Sequence, residues 1–148
     1  MTCELRFERL IHAGPEVVFD LFTTPGGQEA FYRQEGPGWI VRTECGLRVG
    51  GRWNVEFGPA PDQICRHEHV FAVIDRPNRL TVTTTEIRPD GSSFATETDF
   101  FFEKQRAHTL MRMVTTGFPT EELRHEHSLG LPYAFGQLDV LVRHSLED

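Results

Sequence analysis

The chain of 148 residues contains no apolar run near the roughly 18 residues needed to span a bilayer, and its polar start, Met1-Thr2-Cys3-Glu4, carries no signal-peptide core. Membrane insertion is not expected, and the cytoplasm is the default location. Cysteine is scarce. Cys3, Cys45 and Cys65 are odd in number, far apart and without a CxxC pair, which fits reduced thiols packed as small apolar groups better than a disulfide framework or a nucleophile. No run of lysine and arginine marks a basic face, and the formal charge of −7 repels phosphate backbones and anionic membranes, so nucleic acid is not an expected partner. Three catalytic signatures are also missing: the GxSxG elbow, GxxxxGK followed by Ser or Thr, and GxGxxG. Their absence argues against a serine hydrolase or a nucleotide enzyme. There is no internal repeat, low-complexity segment or linker.

Hydrophobic residues make up 39% of the chain and charged residues 25%, close to globular averages, so residues 1–148 read as one domain with a real core. Residues 3 to 11 alternate, with Leu5, Phe7, Arg9 and Ile11 on one side, as in a strand with one buried face. Pro15 suits a first helical turn, and Val17, Val18, Phe19, Leu21 and Phe22 give the short helix an apolar surface before Thr24-Pro25-Gly26-Gly27 ends it. A second short helix around Gln28 to Tyr32 closes at Gly36-Pro37-Gly38. From Trp39 to Thr116 the period becomes two, interrupted by turn signals at Gly50-Gly51, Gly58-Pro59, Arg76-Pro77-Asn78, Pro89-Asp90-Gly91 and near Gln105, which predicts six strands in an antiparallel meander. Alternation places Trp53, Val55 and Phe57; Phe71 and Val73; Leu80 and Val82; Phe94, Phe100 and Phe102; and Met111 and Met113 on one shared concave face. Glu97, Asp99 and Glu103 fall on the opposite, solvated face. Leu131, Phe135, Leu138, Val142 and Leu146 then recur at spacings of three and four, predicting an amphipathic helix that begins close to Gly130, because Pro132 is tolerated only near its first turn. A strand, two short helices, six strands and a long final helix make an α+β chain. Its economical solution is a curved sheet gripping that helix.

The chain resembles the START-like, Bet v 1-like (SRPBCC) helix-grip superfamily, and within it proteins similar to the activator of the heat-shock protein 90 ATPase. The segment Arg9-Leu10-Ile11-His12-Ala13-Gly14-Pro15-Glu16-Val17-Val18-Phe19 matches a family pattern with one inserted glycine, and Thr24-Pro25 follows it. Val49-Gly50-Gly51-Arg52-Trp53 and Arg76-Pro77-Asn78-Arg79-Leu80 match two family turns. The threonine-rich stretch from Thr109 to Gly117-Phe118 and the segment His127 to Leu138 match the close of the chain, with Leu131 where the family carries tryptophan and Phe31-Tyr32 where it often carries two. The resemblance covers nearly all of the chain. It implies a cavity between sheet and final helix, suited to a mostly apolar small molecule held by a few polar groups. The expected lining is Tyr32, Trp39, Trp53, Phe57, His67, His69, Phe71, Phe100, Phe102, Met111, Met113, Leu131, Phe135 and Leu138. No cofactor is implied. The expected partner is a small hydrophobic or amphipathic ligand, held without catalysis. The resemblance also brings in a chaperone as an alternative partner, with a role in stress response, although the eukaryotic activators carry an extra amino-terminal domain. Self-association into a homodimer is compatible with each reading.

The tetrapeptide Arg-His-Glu-His occurs twice, at Arg66 to His69 and at Arg124 to His127. On a strand, His67 and His69 share the side of Phe71 and Val73, and Glu86 shares that of Leu80, Val82 and Thr84. A carboxylate can then approach the imidazoles and raise their proton affinity, making His67, His69 and Glu86 the candidate acid/base groups of a small cyclase, dehydratase or hydrolase. The competing possibility is that this end of the strand is simply wet. His127 is expected to hold a backbone group in the turn before the final helix or to interact with the helix end, so the two tetrapeptides read as separate local tasks with no metal ion between them.

Overall fold

The computed structural model describes residues 3–33 and 38–147, with 144–147 described by backbone alone. The predicted turn at Gly36-Pro37-Gly38 therefore lies largely outside the described residues, as does the side chain of Leu146.

The first strand, β1 (Cys3–Ile11), turns Leu5 and Ile11 into the core while Glu4, Arg6, Glu8 and Leu10 face outward. Two short helices follow, α1 (Pro15–Leu21) and α2 (Pro25–Tyr32), each starting on a proline whose missing N–H is no loss in a first turn. Thr24-Pro25-Gly26-Gly27 is thus not only a terminator. Its proline and glycines form the opening turn of α2, which begins three residues before the expected Gln28. Gly27 allows the two helices to meet, because a Cβ there would lie 2.0 Å from the Leu21 carbonyl oxygen.

The meander consists of β2 (Ile40–Cys45), β3 (Arg52–Gly58), β4 (Cys65–Asp75), β5 (Arg79–Ile87), β6 (Ser93–Gln105) and β7 (His108–Phe118). All neighbours are antiparallel, in the order β1-β7-β6-β5-β4-β3-β2. Between β2 and β3, Gly50 has φ 80° and donates its N–H to Phe71 O, and a Cβ on Gly51 would meet Gly46 O at 2.1 Å. The matched glycine pair therefore has a steric reason. One face assignment changes: the register slips between Phe71 and Val73, so Ile74, paired with Leu80, packs on the core where alternation expected Val73.

The final helix, α3 (Glu121–Glu147), starts well before the expected boundary at Gly130. Thr120 Oγ1 accepts the Leu123 N–H at 3.2 Å, and Glu121 and Glu122 complement the positive end of the helix dipole. Pro132 lies inside the helix, where it leaves the Ser128 carbonyl without its usual donor four residues on. The second histidine tetrapeptide is consequently helical rather than part of a preceding turn.

A curved seven-stranded antiparallel sheet thus grips a long carboxy-terminal helix, with the two short helices after β1 closing one end: an α+β helix-grip fold. Helix α3 packs along β1 and α2. The rings of Phe22, Phe31, Phe7 and Phe135 meet at that junction, and Phe19 and Phe22 lie against Phe102 of β6. Among the described residues, no helix is long and apolar enough to cross a membrane.

Candidate functional site

The packing of α1 and α2 divides the concave face. Beneath them the sheet is filled by aromatic side chains. Beneath the first half of α3 a cavity of about 440 Å³ remains. Register makes its floor a set of cross-strand rows: His67, Glu86 and Phe94; then His69, Thr84 and Thr96; then Val82, Thr98, Thr115 and Leu5; then Phe100 and Met113. Polarity therefore falls from one end of the floor to the other. The roof comes from Glu126, His127, Gly130, Leu131 and Ala134, which recur at helical spacing on α3. Arg88, at the polar end, has its Nη1 3.7 Å from Glu86 Oε2 and 3.3 Å from Glu126 Oε2.

One hydrogen-bonded chain runs through this polar end. His127 Nδ1 lies 3.2 Å from Leu123 O and its Nε2 lies 2.9 Å from Glu86 Oε1. The same carboxylate oxygen is 2.6 Å from His67 Nε2. The Tyr32 hydroxyl bridges His67 Nδ1 at 2.8 Å and His69 Nε2 at 2.9 Å, and His69 Nδ1 meets Thr84 Oγ1 at 2.6 Å. Counting donors fixes the bonds to Leu123 O and Glu86 and leaves the rest of the chain two possible directions. A carbonyl and a carboxylate can only accept, so His127 donates from both nitrogens and is an imidazolium. His67 donates to Glu86 from Nε2, and in one of the two directions it accepts at Nδ1 from Tyr32. His69 then donates from Nε2 to the tyrosine oxygen and accepts at Nδ1 from Thr84.

The electrostatics favour a charged His127 and a neutral His69. Burial alone would raise the Glu86 carboxyl, but the bonds from His127 and His67 and their charge outweigh it and hold the group well below the usual carboxylate range. Burial works against the His127 charge, yet the bond to Glu86 wins and its proton affinity is raised. His69 is driven well below the ordinary histidine value by burial and by His67, as expected of a neutral ring. Burial, followed by the charge of Glu86, raises the Tyr32 phenol and keeps it protonated. The Cys65 thiol, on the same cavity wall, is also pushed up by burial and by Glu86, so thiolate chemistry is disfavoured there.

Of the residues anticipated as lining, Tyr32, Phe57, His67, His69, Phe100, Met113 and Leu131 reach the cavity. Trp39, Trp53, Phe71, Phe102, Met111, Phe135 and Leu138 do not. Trp53 is buried behind the site, its ring stacked on His69 with centroids 4.2 Å apart, and Trp39 donates its ring N–H to Tyr32 O at 3.1 Å. Phe102, Met111, Phe135 and Leu138 are spent on the packed end beneath α1, α2 and the later turns of α3. Glu86 does meet His67, while His69 takes Thr84 instead. The separation of the two tetrapeptides is corrected: His67 from one and His127 from the other share Glu86 Oε1. Thr96, Thr98, Thr115, Arg88 and Glu126 were not anticipated, although alternation with Phe94 and Phe100 already places Thr96 and Thr98 on the inner face.

Protein CV1439 from Chromobacterium violaceum has a similar structure, with a TM-score of 0.82 at 22% identity over 94% of this chain and 96% of that one. A protein from Rhodobacter sphaeroides superposes with a TM-score of 0.80 at 18% identity, covering 95% of this chain and 92% of its own. Mll3558 from Rhizobium loti gives 0.74 at 19%, over 93% and 97%. At these identities the likeness is one of fold. No functionally curated protein matches. The model of the Activator of Hsp90 ATPase homolog 1-like family matches residues 12–143, from the histidine after β1 to the arginine near the end of α3, and the chain belongs to that family.

Proposed function

We propose that this protein holds one small amphipathic molecule between its sheet and final helix, without transforming it. The observation that carries this reading is the cavity of about 440 Å³, within the range of small-molecule sites, with polarity graded along its length. An apolar body would rest on Leu5, Phe100, Met113 and Leu131, with its polar head among Arg88, His127 and Thr84. The same chain of bonds gives the acid/base alternative no support: both nitrogens of His67 and of His69 are hydrogen-bonded within the protein, so a substrate would have to displace one of those partners.

Titration with an environment-sensitive fluorophore, followed by displacement with amphipathic molecules and native mass spectrometry, tests the proposal. Saturable binding of one probe per chain is expected, weakened about tenfold or more by Ala134→Trp, which places an indole in the cavity. Failure to bind or displace any probe would remove it. The family's description also brings regulation of a chaperone ATPase into view. Turnover of a cognate chaperone, changed only when this protein is added, would favour that reading over ligand holding.

A further inference from the structure

We propose that His67, Glu86 and His127 form a site for one divalent transition-metal ion of the zinc class, open to the cavity. One donor atom from each residue lies within 4.8 Å of the other two. An ion bound at about 2.0 to 2.2 Å in tetrahedral geometry needs donors roughly 3.3 Å apart. His67 Nε2 and His127 Nε2, at 2.6 Å and 2.9 Å from Glu86 Oε1 and within 4.8 Å of each other, would draw back slightly from the carboxylate to admit it. Two imidazoles and one carboxylate suit zinc and its neighbours, and the cavity supplies the fourth position, for water or the polar head of a guest. His67 and Glu86 stand opposite each other on paired strands, and His127 approaches from α3, so sheet and helix hold the donors on either side.

The outer nitrogens provide an independent argument. A metal-bound imidazole donates its other N–H to a fixed acceptor, which sets its tautomer. His127 Nδ1 already faces Leu123 O at 3.2 Å. His67 Nδ1 faces the Tyr32 oxygen at 2.8 Å, and the chain beyond can run in the opposite direction: His67 Nδ1–H to Tyr32, Tyr32 O–H to His69 Nε2, and His69 Nδ1–H to Thr84 Oγ1. In that reversal His67 and His69 each change tautomer by exchanging a ring proton with cavity water while the Tyr32 and Thr84 hydroxyls turn, so every residue keeps its number of protons. The one proton released on coordination is that on His127 Nε2. Arg88 opposes the ion by charge, but it lies toward the other carboxylate oxygen, Oε2, and has Glu126 as a second partner.

This inference does not depend on an apolar guest. Chelator-treated full-length protein titrated with Zn²⁺ by calorimetry, and with Co²⁺ by visible absorption, should bind one ion per chain, with Zn²⁺ displacing Co²⁺. Glu86→Gln and His127→Gln should each weaken binding by about tenfold or more, while His125→Ala, at an exposed position of the same tetrapeptide, should leave it unchanged. Absence of one-to-one binding overturns the proposal, as does binding that survives both substitutions or is lost with His125. Where a variant does not fold, histidine NMR of the wild type decides. Zn²⁺-induced shifts at His67 and His127 with His125 unmoved support the site, and the reverse pattern overturns it.

Discussion

The hydroxyl of Tyr32, the last residue of α2, lies 2.8 Å from His67 Nδ1 on β4. The same oxygen reaches His69, so a single phenol ties the second short helix to two positions of one strand. Tyr32→Phe would leave both ring nitrogens without their partner at little change in shape. A loss of about 1 to 3 kcal/mol in urea unfolding is expected, the cost of unpaired buried polar groups. Wild-type stability in the variant would mean that cavity water replaces the hydroxyl without loss.

Phe135 closes the packed end of the concave face, fully buried and in ring contact with Phe7, Phe22 and Phe31. Phe135→Ala should destabilise by about 3 to 5 kcal/mol, combining lost transfer energy with the cavity left behind. Denaturant unfolding measures it, and a cost below about 1 kcal/mol would contradict the tight packing described.

Gly130 is a helical residue with no heavy atom within 4 Å of where a Cβ would stand. Gly130→Ala should therefore stabilise the protein by about 0.5 to 1 kcal/mol through the lower entropy of its unfolded chain. A thermal shift downward would show that the turn before Pro132 needs glycine.

Asp139 on α3 is buried and accepts the His12 backbone N–H at 3.0 Å and its ring nitrogen at 2.8 Å. Burial by itself would raise the carboxyl, but those bonds, with the charges of His12 and Arg143, bring it below the usual range. A folded-state value lower than the unfolded one, near 3.9, contributes stability that is present above that unfolded value and is lost as pH falls through the folded one. The Tm difference between wild type and Asp139→Asn should be full at neutral pH and close in acid. A difference independent of pH would remove the carboxylate from the account.

The one long helix shows why parts of the sequence were legible and others not. From Phe135 onward its buried apolar residues pack against β1 and the aromatic cluster, and with Leu131 they leave a period of three and four. Before Leu131 only Leu123 packs on the core, and Glu126, His127 and Gly130 line a cavity instead. A helix lining an open space has no hydrophobic stripe to betray it, so periodicity places its start near Gly130 and misses the turns from Glu121. The strands were legible for the opposite reason, since their alternation follows from the backbone and needs no knowledge of neighbours.

Local rules written along the chain determined the meander, the buried face of its strands up to the slip after Phe71, and the glycines that turn it, since each depends on residues close in sequence. Tertiary packing decided which half of that face is filled, because the docking of α1 and α2 settles it. It also decided that His67 and His127 share one carboxylate oxygen. Neither the identical tetrapeptides nor their spacing encodes that meeting, which exists only once α3 lies across β4 and β5.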